Sequence, residues 1–162
     1  MSLNQFHANS MSELLSLDQM REMSGLEFMQ GILDGCYPSP PIDKTLGYYL
    51  TEVEEGRVVF SGAPCFDAFN PMGTVHGGWY GTLLDSAMAC AVMTKVPKGS
   101  IYTTLEYKVN IIKSIPQNRQ IRAIGVTNHV GRSTGVATAE IVDAETGKLY
   151  ATGSTTCIVM KM

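Results

Sequence analysis

The stretch that decides the fold spans residues 73–95 and has the sequence GTVHGGWYGTLLDSAMACAVMTK. From His76 to Lys95 it contains no proline and few β-branched residues, which favours an α-helix. Most of the helix surface is apolar, and Asp85 is the one carboxylate on it. A helix that is apolar all round is normally buried inside a domain. The sequence therefore predicts a central helix that other elements surround.

The segments on either side of this helix have the pattern of β-strands. Two runs precede it, at residues 46–53 and 58–62, and the Glu-Glu-Gly-Arg sequence between them predicts a hairpin. Four runs separated by turn residues follow it, at residues 101–112, 120–129, 133–143 and 149–160. Two strands, one buried helix and four strands predict an α+β domain in which an antiparallel sheet wraps around the helix.

Residues 1–40 are predicted to form an N-terminal helical extension, and residues 41–162 the main domain. Apolar residues recur at helical spacing over residues 12–33, and capping boxes begin at Ser16 and Ser24. This pattern predicts two short helices in succession. A run rich in proline follows them and ends the helical segment.

Composition and charge exclude several classes of protein. A chain of 162 residues with 44% hydrophobic and 17% charged residues fits one ordinary globular domain. The net charge is −3 and Lys and Arg are not clustered, so nucleic acid is not expected as a partner. No apolar run approaches the roughly 20 residues that span a bilayer. Because no secretory signal is visible either, we expect no membrane association and a cytoplasmic location.

The cysteines and histidines do not form the patterns of a disulfide framework or a metal site. The cysteines are far apart in the sequence, at Cys36, Cys65, Cys90 and Cys157. They predict four separate buried thiols in a reducing cytoplasm. His7, His76 and His129 lack the spacing of metal ligands, so no metal and no cofactor are expected.

Asp85 is the first candidate for chemistry. None of its helical neighbours three and four positions away is cationic; they are Gly81, Thr82, Met88 and Ala89. Burying an unpaired carboxylate costs several kcal/mol, so a partner or a function is needed to explain it. One interpretation is a structural aspartate bonded to strand hydroxyls or facing solvent. The other is a carboxylate in a semi-apolar cleft, with a pKa shifted towards use as a base or nucleophile.

The start of the helix is the second candidate. Gly77 and Gly78 leave backbone N–H groups approachable, at the end where the helix dipole favours negative charge. Such donors suit the oxyanion that forms when a thioester carbonyl becomes tetrahedral. A glycine-rich turn that simply lets the chain enter the helix is the alternative. A lone His76 at a helix start is typical of hydrogen-bonding support, and Cys90, among alanines, is expected in the core.

The spacing of these candidates predicts an oligomer. His76 and Asp85 are separated by about 900° of helical rotation, which places them on opposite faces. Gly77 and Asp85 are separated by about 12 Å along the helix axis. One acyl group cannot contact both within a single chain, so a common reaction requires two chains and two equivalent sites across a two-fold interface.

These residues belong to a joint motif, Asn-x-x-Gly-x-x-His-Gly-Gly followed by Leu-x-Asp-x-Ala. It occurs here at Asn70, Gly73, His76, Gly77, Gly78, Leu83, Asp85 and Ala87. Together with the strand at residues 103–110, this motif resembles the hotdog-fold thioesterases. The resemblance is to the PaaI-type (phenylacetate-degradation) branch of the 4-hydroxybenzoyl-CoA thioesterase superfamily. It covers roughly residues 45–160 and leaves residues 1–40 outside.

The resemblance implies a hotdog homodimer, usually paired into a homotetramer, with the thioester at the dimer interface. It implies that the Gly77 N–H polarises the carbonyl oxygen and that Asn70 positions the thioester or the attacking water. Asp85 of the partner subunit would act as general base or nucleophile. Thr104 matches a hydroxyl residue that orients the water in relatives, and His76 would support the loop.

Four further residues are substrate-binding candidates: Gly78, Trp79, Met88 and Arg132. Arg132 matches a position that is often basic, where it would meet the CoA phosphates, although a solvated turn is an equal alternative. Trp79 and Met88 would line an acyl pocket or else pack in the core. Relatives that use Glu as the carboxylate carry a Thr one turn later, where this chain has Ala89, so the aspartate branch fits better.

The expected function is hydrolysis of an aryl- or medium-chain acyl-CoA to the free acid and CoA. Coenzyme A then enters as part of the substrate, and no separate cofactor is needed. A non-catalytic acyl-CoA-binding module is one alternative, although a buried carboxylate would serve no purpose in a sensor. A hotdog hydratase or dehydratase is another, and it would need an Asp–His pair across chains.

Overall fold

The computed structural model describes residues 5–162, so the first four residues of the predicted extension lie outside the described part. Within this part, four α-helices and six β-strands are present. The helices are α1 (Leu17–Arg21), α2 (Gly25–Leu33), α3 (Pro41–Leu46) and α4 (Gly77–Met93). The strands are β1 (Tyr48–Glu54), β2 (Arg57–Gly62), β3 (Ser100–Ile111), β4 (Ile121–Val130), β5 (Thr134–Asp143) and β6 (Leu149–Lys161). Short 3₁₀ turns occur at Met11–Glu13 and Phe66–Ala68.

The strands of residues 5–162 form one antiparallel sheet with the order β1-β2-β4-β5-β6-β3. The sheet curls around α4, which packs against every strand from β2 to β6. The predicted α+β hotdog arrangement of two strands, a buried central helix and four strands is therefore confirmed. The sheet order leaves β1 and β3 as the two edges.

The core lies between α4 and the concave face of the sheet. Leu83, Leu84 and Val92 of α4 are each 0% exposed. Burying a side chain of this size contributes about 1.5–3 kcal/mol, and truncating Leu83 to alanine would cost about 2–5 kcal/mol. A Cβ atom at Gly125 of β4 would overlap the Ala87 carbonyl group, so glycine is required where the strand crosses the helix.

The N-terminal extension packs on this domain as two short helices, as predicted. Both capping boxes are present, at Ser16 for α1 and at Ser24 for α2. The Gly25 N–H donates to the Val96 carbonyl at 2.9 Å, and a Cβ atom at Gly25 would overlap the Met93 carbonyl. The start of α2 is thus anchored at the C-terminal end of α4. The domain boundary after residue 40 stays a prediction.

Two features differ from the sequence-based expectations. The segment Pro41–Leu46 forms α3, whereas the pattern predicted only a strand beginning at residue 46; proline at the first helical position and Gly47 in the left-handed region delimit this helix. The four thiols are free, but Cys36 and Cys65 are exposed, because they lie in the loops after α2 and β2. The prediction that all four are buried was therefore wrong for these two.

None of the helices found in residues 5–162 has the length and hydropathy needed to cross a membrane.

Candidate active site

Asp85 lies on α4 with its carboxylate half-buried beside β3. The Thr104 hydroxyl of β3 donates a hydrogen bond to Asp85 Oδ1 at 3.0 Å. Burial raises the pKa of the Asp85 carboxyl, and the hydrogen bond from Thr104 opposes part of this increase. No cation within residues 5–162 contributes to this environment. The carboxylate is therefore more basic than a solvated aspartate.

A β-bulge directs Thr104 towards this carboxylate. The register between β3 and β6 shifts between Thr104 and Glu106, which leaves Leu105 as the extra residue. Because side chains alternate along a strand, the extra residue changes which side chains face α4. Thr104 on one side of the bulge and Tyr107 on the other both contact α4.

After the bulge, β3 runs along the exposed face of α4. The Tyr107 ring lies 3.4 Å from where a Cβ atom of Gly81 would be, and Ile111 lies 3.6 Å from the corresponding position at Gly77. The strand thus passes Asp85, Gly81 and Gly77 in turn. Gly77 and Asp85 remain separated by about 12 Å along the helix axis, as the sequence predicted.

The N-terminus of α4 presents one free backbone donor. His76 is the N-cap, and its Nδ1 accepts a hydrogen bond from the Gly78 N–H at 2.9 Å. The Trp79 N–H donates to the His76 carbonyl at 3.0 Å. For the exposed Gly77 N–H, no acceptor is found in residues 5–162. Of the first three amides of the helix, Gly77 is thus the one available to a ligand.

Asn70 uses its amide group to shape the loop before α4. Its Oδ1 accepts hydrogen bonds from the Met72 N–H at 2.9 Å and the Thr74 N–H at 3.2 Å, and its Nδ2 donates to Thr74 Oγ1 at 2.9 Å. Gly73 in this loop has φ of 74°, which favours glycine. Asn70 therefore has a structural task here, and its contact with a thioester or water stays a prediction.

Arg132 is exposed in the turn between β4 and β5. Gly135 pairs with Cys157, and Cys157 pairs with Thr104. The turn that carries Arg132 therefore lies at the same end of the sheet as the Asp85–Thr104 pair. Its predicted role towards the CoA phosphates stays a prediction.

Trp79 and Met88 lie in the core. Met88 is 0% exposed and packs against Gly153 of β6. Trp79 is 3% exposed, and its indole N–H donates to the Leu46 carbonyl at 2.9 Å. The geometry favours the packing alternative for both side chains, and the proposed contact with substrate gains no support from it.

A cavity of about 240 Å³ adjoins the pocket at Asp85. Its apolar walls come from the N-terminal extension and from β1 and β2, at residues Leu14, Phe28, Met29, Ile32, Leu50 and Phe60. Ser86, Cys90 and Tyr102 line this cavity and also the open pocket that contains Asp85. A chain bound at Asp85 can therefore continue into the apolar space.

Polar groups border this cavity as well. The hydroxyl groups of Tyr48 and Ser86 are hydrogen bonded at 3.0 Å. Burial raises the pKa of the Tyr48 phenol and of the Cys90 thiol, so both stay protonated near neutral pH. Asp43 of α3 also lines the cavity; it is 3% exposed, and burial raises its pKa to about 7.

Sequence reasoning missed Asp43, Tyr48, Ser86 and Tyr102 as site residues. The signal available for Asp43 was an acidic residue in the first turn of a helix that begins at Pro41, two positions after that proline. The other three come from different elements, and only the folded arrangement brings them together. No group of three potential metal ligands occurs among the residues that the structure describes.

Comparison with known proteins shows that this chain is similar in sequence to thioesterases. The model of the thioesterase superfamily matches residues 72–150, which include Gly77, Asp85 and Thr104. The chain is 28% identical over 120 residues to 1,4-dihydroxy-2-naphthoyl-CoA hydrolase from Listeria monocytogenes serotype 1/2a (strain 10403S). This alignment covers 74% of the chain and 96% of that protein.

Solved structures show the same similarity. A variant of the phenylacetic acid degradation protein PaaI from Thermus thermophilus is 27% identical with a TM-score of 0.66, covering 73% of this chain and 97% of that one. A putative thioesterase related to phenylacetic acid degradation, from Ralstonia eutropha JMP134, is 26% identical with a TM-score of 0.73, covering 81% and 98%. The resemblance seen in the sequence is confirmed, and so is the predicted class of enzyme, a hydrolase of thioester bonds.

Proposed function

Because the chain matches the thioesterase superfamily in sequence and in fold, we propose that it hydrolyses acyl-CoA thioesters to a free acid and CoA, with Asp85 as the carboxylate that drives the reaction. The observation that carries this proposal is the environment of Asp85. The carboxylate is half-buried, has a raised pKa, accepts a hydrogen bond from Thr104 and lies at the opening of an apolar cavity. A general base is most effective when its pKa approaches the working pH.

The complete site forms between two copies of the chain. The outer edge of β3 has no partner strand within residues 5–162, and Leu105, Tyr107 and Ile111 on it are 60%, 47% and 49% exposed. A long edge strand with exposed apolar side chains is a surface that other strands pair with. Pairing with β3 of a second copy would cover this edge.

The path of β3 suggests a position for the two-fold axis of this proposed dimer. Tyr107 lies beside Gly81, midway along α4 between Gly77 and Asp85. An axis at Tyr107 places Ile111 of one chain opposite Thr103 of the other in an antiparallel pair. Since Ile111 lies beside Gly77 and Thr103 precedes Thr104, the Gly77 N–H of one subunit then faces Asp85 of the partner subunit. The proposed shared site therefore needs a homodimer, while pairing into a tetramer stays a prediction.

In the reaction, the thioester carbonyl oxygen accepts a hydrogen bond from the Gly77 N–H. Asp85 of the partner subunit removes a proton from a water molecule, and the resulting hydroxide attacks the carbonyl carbon. The Gly77 N–H and the helix dipole stabilise the oxyanion of the tetrahedral intermediate. When the intermediate collapses, the C–S bond breaks and the proton held by Asp85 passes to the departing CoA thiolate.

The acyl group occupies the apolar cavity, and the CoA arm extends towards the surface near Arg132. A volume of about 240 Å³ corresponds to about eight groups of water size. A medium-length chain or a single aromatic ring fits this space.

The test compares wild type with Asp85→Asn on a panel of aromatic and straight-chain acyl-CoAs, with products separated by chromatography. Loss of a general base is expected to lower kcat by about 10²- to 10⁴-fold. Asp18→Asn, on the exposed surface of α1, is the matched control and should retain full activity. Binding of acyl-CoA without turnover by wild type would overturn the proposal in favour of a binding module. Hydration of an enoyl-CoA without thioester hydrolysis would instead identify a hydratase.

A second experiment distinguishes the base role of Asp85 from the nucleophile role. A single turnover in ¹⁸O-water leaves the Asp85 side chain unlabelled if water attacks the thioester directly. Label in the Asp85 carboxylate, detected by mass spectrometry of its peptide, would show that an anhydride forms first.

A further inference from the structure

Asp43 is a carboxyl in the first turn of α3, buried at the wall of the acyl cavity. It is 3% exposed, and no hydrogen bond or ion pair to its side chain is found in residues 5–162. Asp43 lines the cavity, whereas the unpaired Gln5 Oε1, His7 Nε2 and Ser39 Oγ belong to residues that do not line it. A buried polar group without a partner destabilises the folded protein, and more so when the group is charged. Such a group in a cavity is typical of a site that a ligand completes.

The rest of the cavity explains what this ligand must be. Met29, Ile32, Leu50 and Phe60 provide apolar walls that accept hydrocarbon. The polar groups closest to Asp85 are already occupied, because the Ser86 hydroxyl is paired with Tyr48. Asp43 supplies the one carboxyl among the described residues that line the cavity, and no hydrogen-bond partner is found for it within residues 5–162.

The position of Asp43 in the chain separates it from the reacting atoms. It lies on α3, which precedes the segment that the family model matches, and it does not border the pocket that contains Asp85. An acyl chain that enters past Ser86 and Cys90 would reach the wall that carries Asp43 beyond them. The carboxyl can therefore contact substrate without taking part in hydrolysis.

We propose that Asp43 determines specificity by hydrogen bonding a hydroxyl group at the end of the acyl chain opposite the thioester. This inference rests on the proposed function, since it names the acyl class that the same site accepts. A hydroxyl group suits Asp43 in both protonation states: it donates to the carboxylate and accepts from the neutral acid. With a pKa of about 7, both states are populated near neutral pH. An acyl chain that ends in a methyl group would leave the carboxyl buried and unpaired.

The test uses two acyl-CoAs of equal length, ω-hydroxyoctanoyl-CoA and nonanoyl-CoA, whose chains fit the space for about eight groups. Wild type should prefer the hydroxylated substrate in kcat/KM by about 10- to 100-fold, the worth of one hydrogen bond to a buried carboxyl. Asp43→Leu should reverse this preference and raise the rate with nonanoyl-CoA. Asp43→Asn keeps a polar group and should restore part of the preference, which a purely structural role for Asp43 would not predict.

A binding measurement separates failure of this inference from failure of the proposed function. Calorimetry with Asp85→Asn measures affinity for both acyl-CoAs without hydrolysis, alone and combined with Asp43→Leu. Hydrolysis of both substrates by wild type at equal kcat/KM would overturn the role of Asp43 and leave the thioesterase proposal intact. Absence of any hydrolysis, with tighter binding of the hydroxylated ligand that Asp43→Leu abolishes, would overturn only the catalytic proposal. Equal affinities in all variants would overturn the specificity proposal.

Discussion

Replacing Asp43 with asparagine removes a carboxyl that folding takes out of water, and we expect the free energy of unfolding to lose part of its pH dependence. The ordinary pKa of this carboxyl is 3.8, and burial raises it to about 7 in the folded protein. Between these values the folded state keeps a proton that the unfolded chain has released. The free energy of unfolding of wild type therefore falls as the pH rises from about 4 to about 7.

The size of this effect follows from the two pKa values. A difference of about three pH units corresponds to about 4 kcal/mol, which is the upper limit of the penalty once both states are ionised. Well below pH 3.8 the carboxyl is protonated in both states, and the penalty vanishes. Asp43→Asn carries no such group. Its stability relative to wild type should thus increase by up to about 4 kcal/mol between pH 4 and pH 8.

The assay is urea denaturation of both proteins at a fixed protein concentration across this pH range, because the stability of an oligomer depends on concentration. The informative quantity is how the difference in free energy of unfolding between the two proteins changes with pH. A difference that is the same at every pH reports only on packing. A difference that stays constant from pH 4 to pH 8 would show that the Asp43 pKa is normal. The reasoning that Asp43 is buried and unpaired would then be refuted.

Three further predictions concern the site at the proposed dimer interface. Gly77→Pro removes the free N–H at a helix position that accepts proline, and it should lower kcat by about 10²- to 10³-fold. Gly77→Ala keeps the N–H and should retain the activity. An equal loss of kcat in both variants would exclude the oxyanion role of the Gly77 N–H. Thr104→Val removes the hydrogen bond to Asp85 while keeping the shape of the side chain. The pKa of Asp85, read from the pH profile of kcat/KM, should therefore rise. The rate at neutral pH should fall several-fold, about the contribution of one hydrogen bond. An unchanged pH profile would show that Thr104 does not affect the pKa of Asp85. Tyr107→Asp places two like charges at the proposed two-fold axis and should give inactive monomers by analytical ultracentrifugation; an active monomer would contradict the shared site.

The elements that the sequence predicted are those with a strong local pattern. The proline-free apolar run of α4 and the capping boxes at Ser16 and Ser24 are local signals, and the structure contains the helices they predict. The helix α3 was missed because only six residues form it and tertiary packing stabilises so short a helix. The strand order could not be predicted, because it depends on pairing between distant segments such as β3 and β6.

The candidate site was predicted in part. Asp85 stood out as a lone carboxylate on an apolar helix, and Gly77 as an N–H donor at its start. The bulge at Leu105, which turns Thr104 towards Asp85, has no local signature in the sequence; Thr104 was identified through the resemblance instead. The cavity wall at Asp43, Ser86 and Tyr102 depends on how the extension packs on the sheet, and the periodicity of the sequence does not predict that packing.

The shared site itself is tested most directly by mixing two inactive variants. Gly77→Pro and Asp85→Asn are each purified, unfolded together and refolded so that subunits exchange at random. In a mixed dimer one site carries both defects, while the other combines an intact Gly77 with an intact Asp85 of the partner subunit. Half of the dimers are then mixed with one working site each, so the mixture should regain about a quarter of wild-type activity. A mixture that stays as inactive as the separate variants would show that both groups act within one chain, and the account would be wrong.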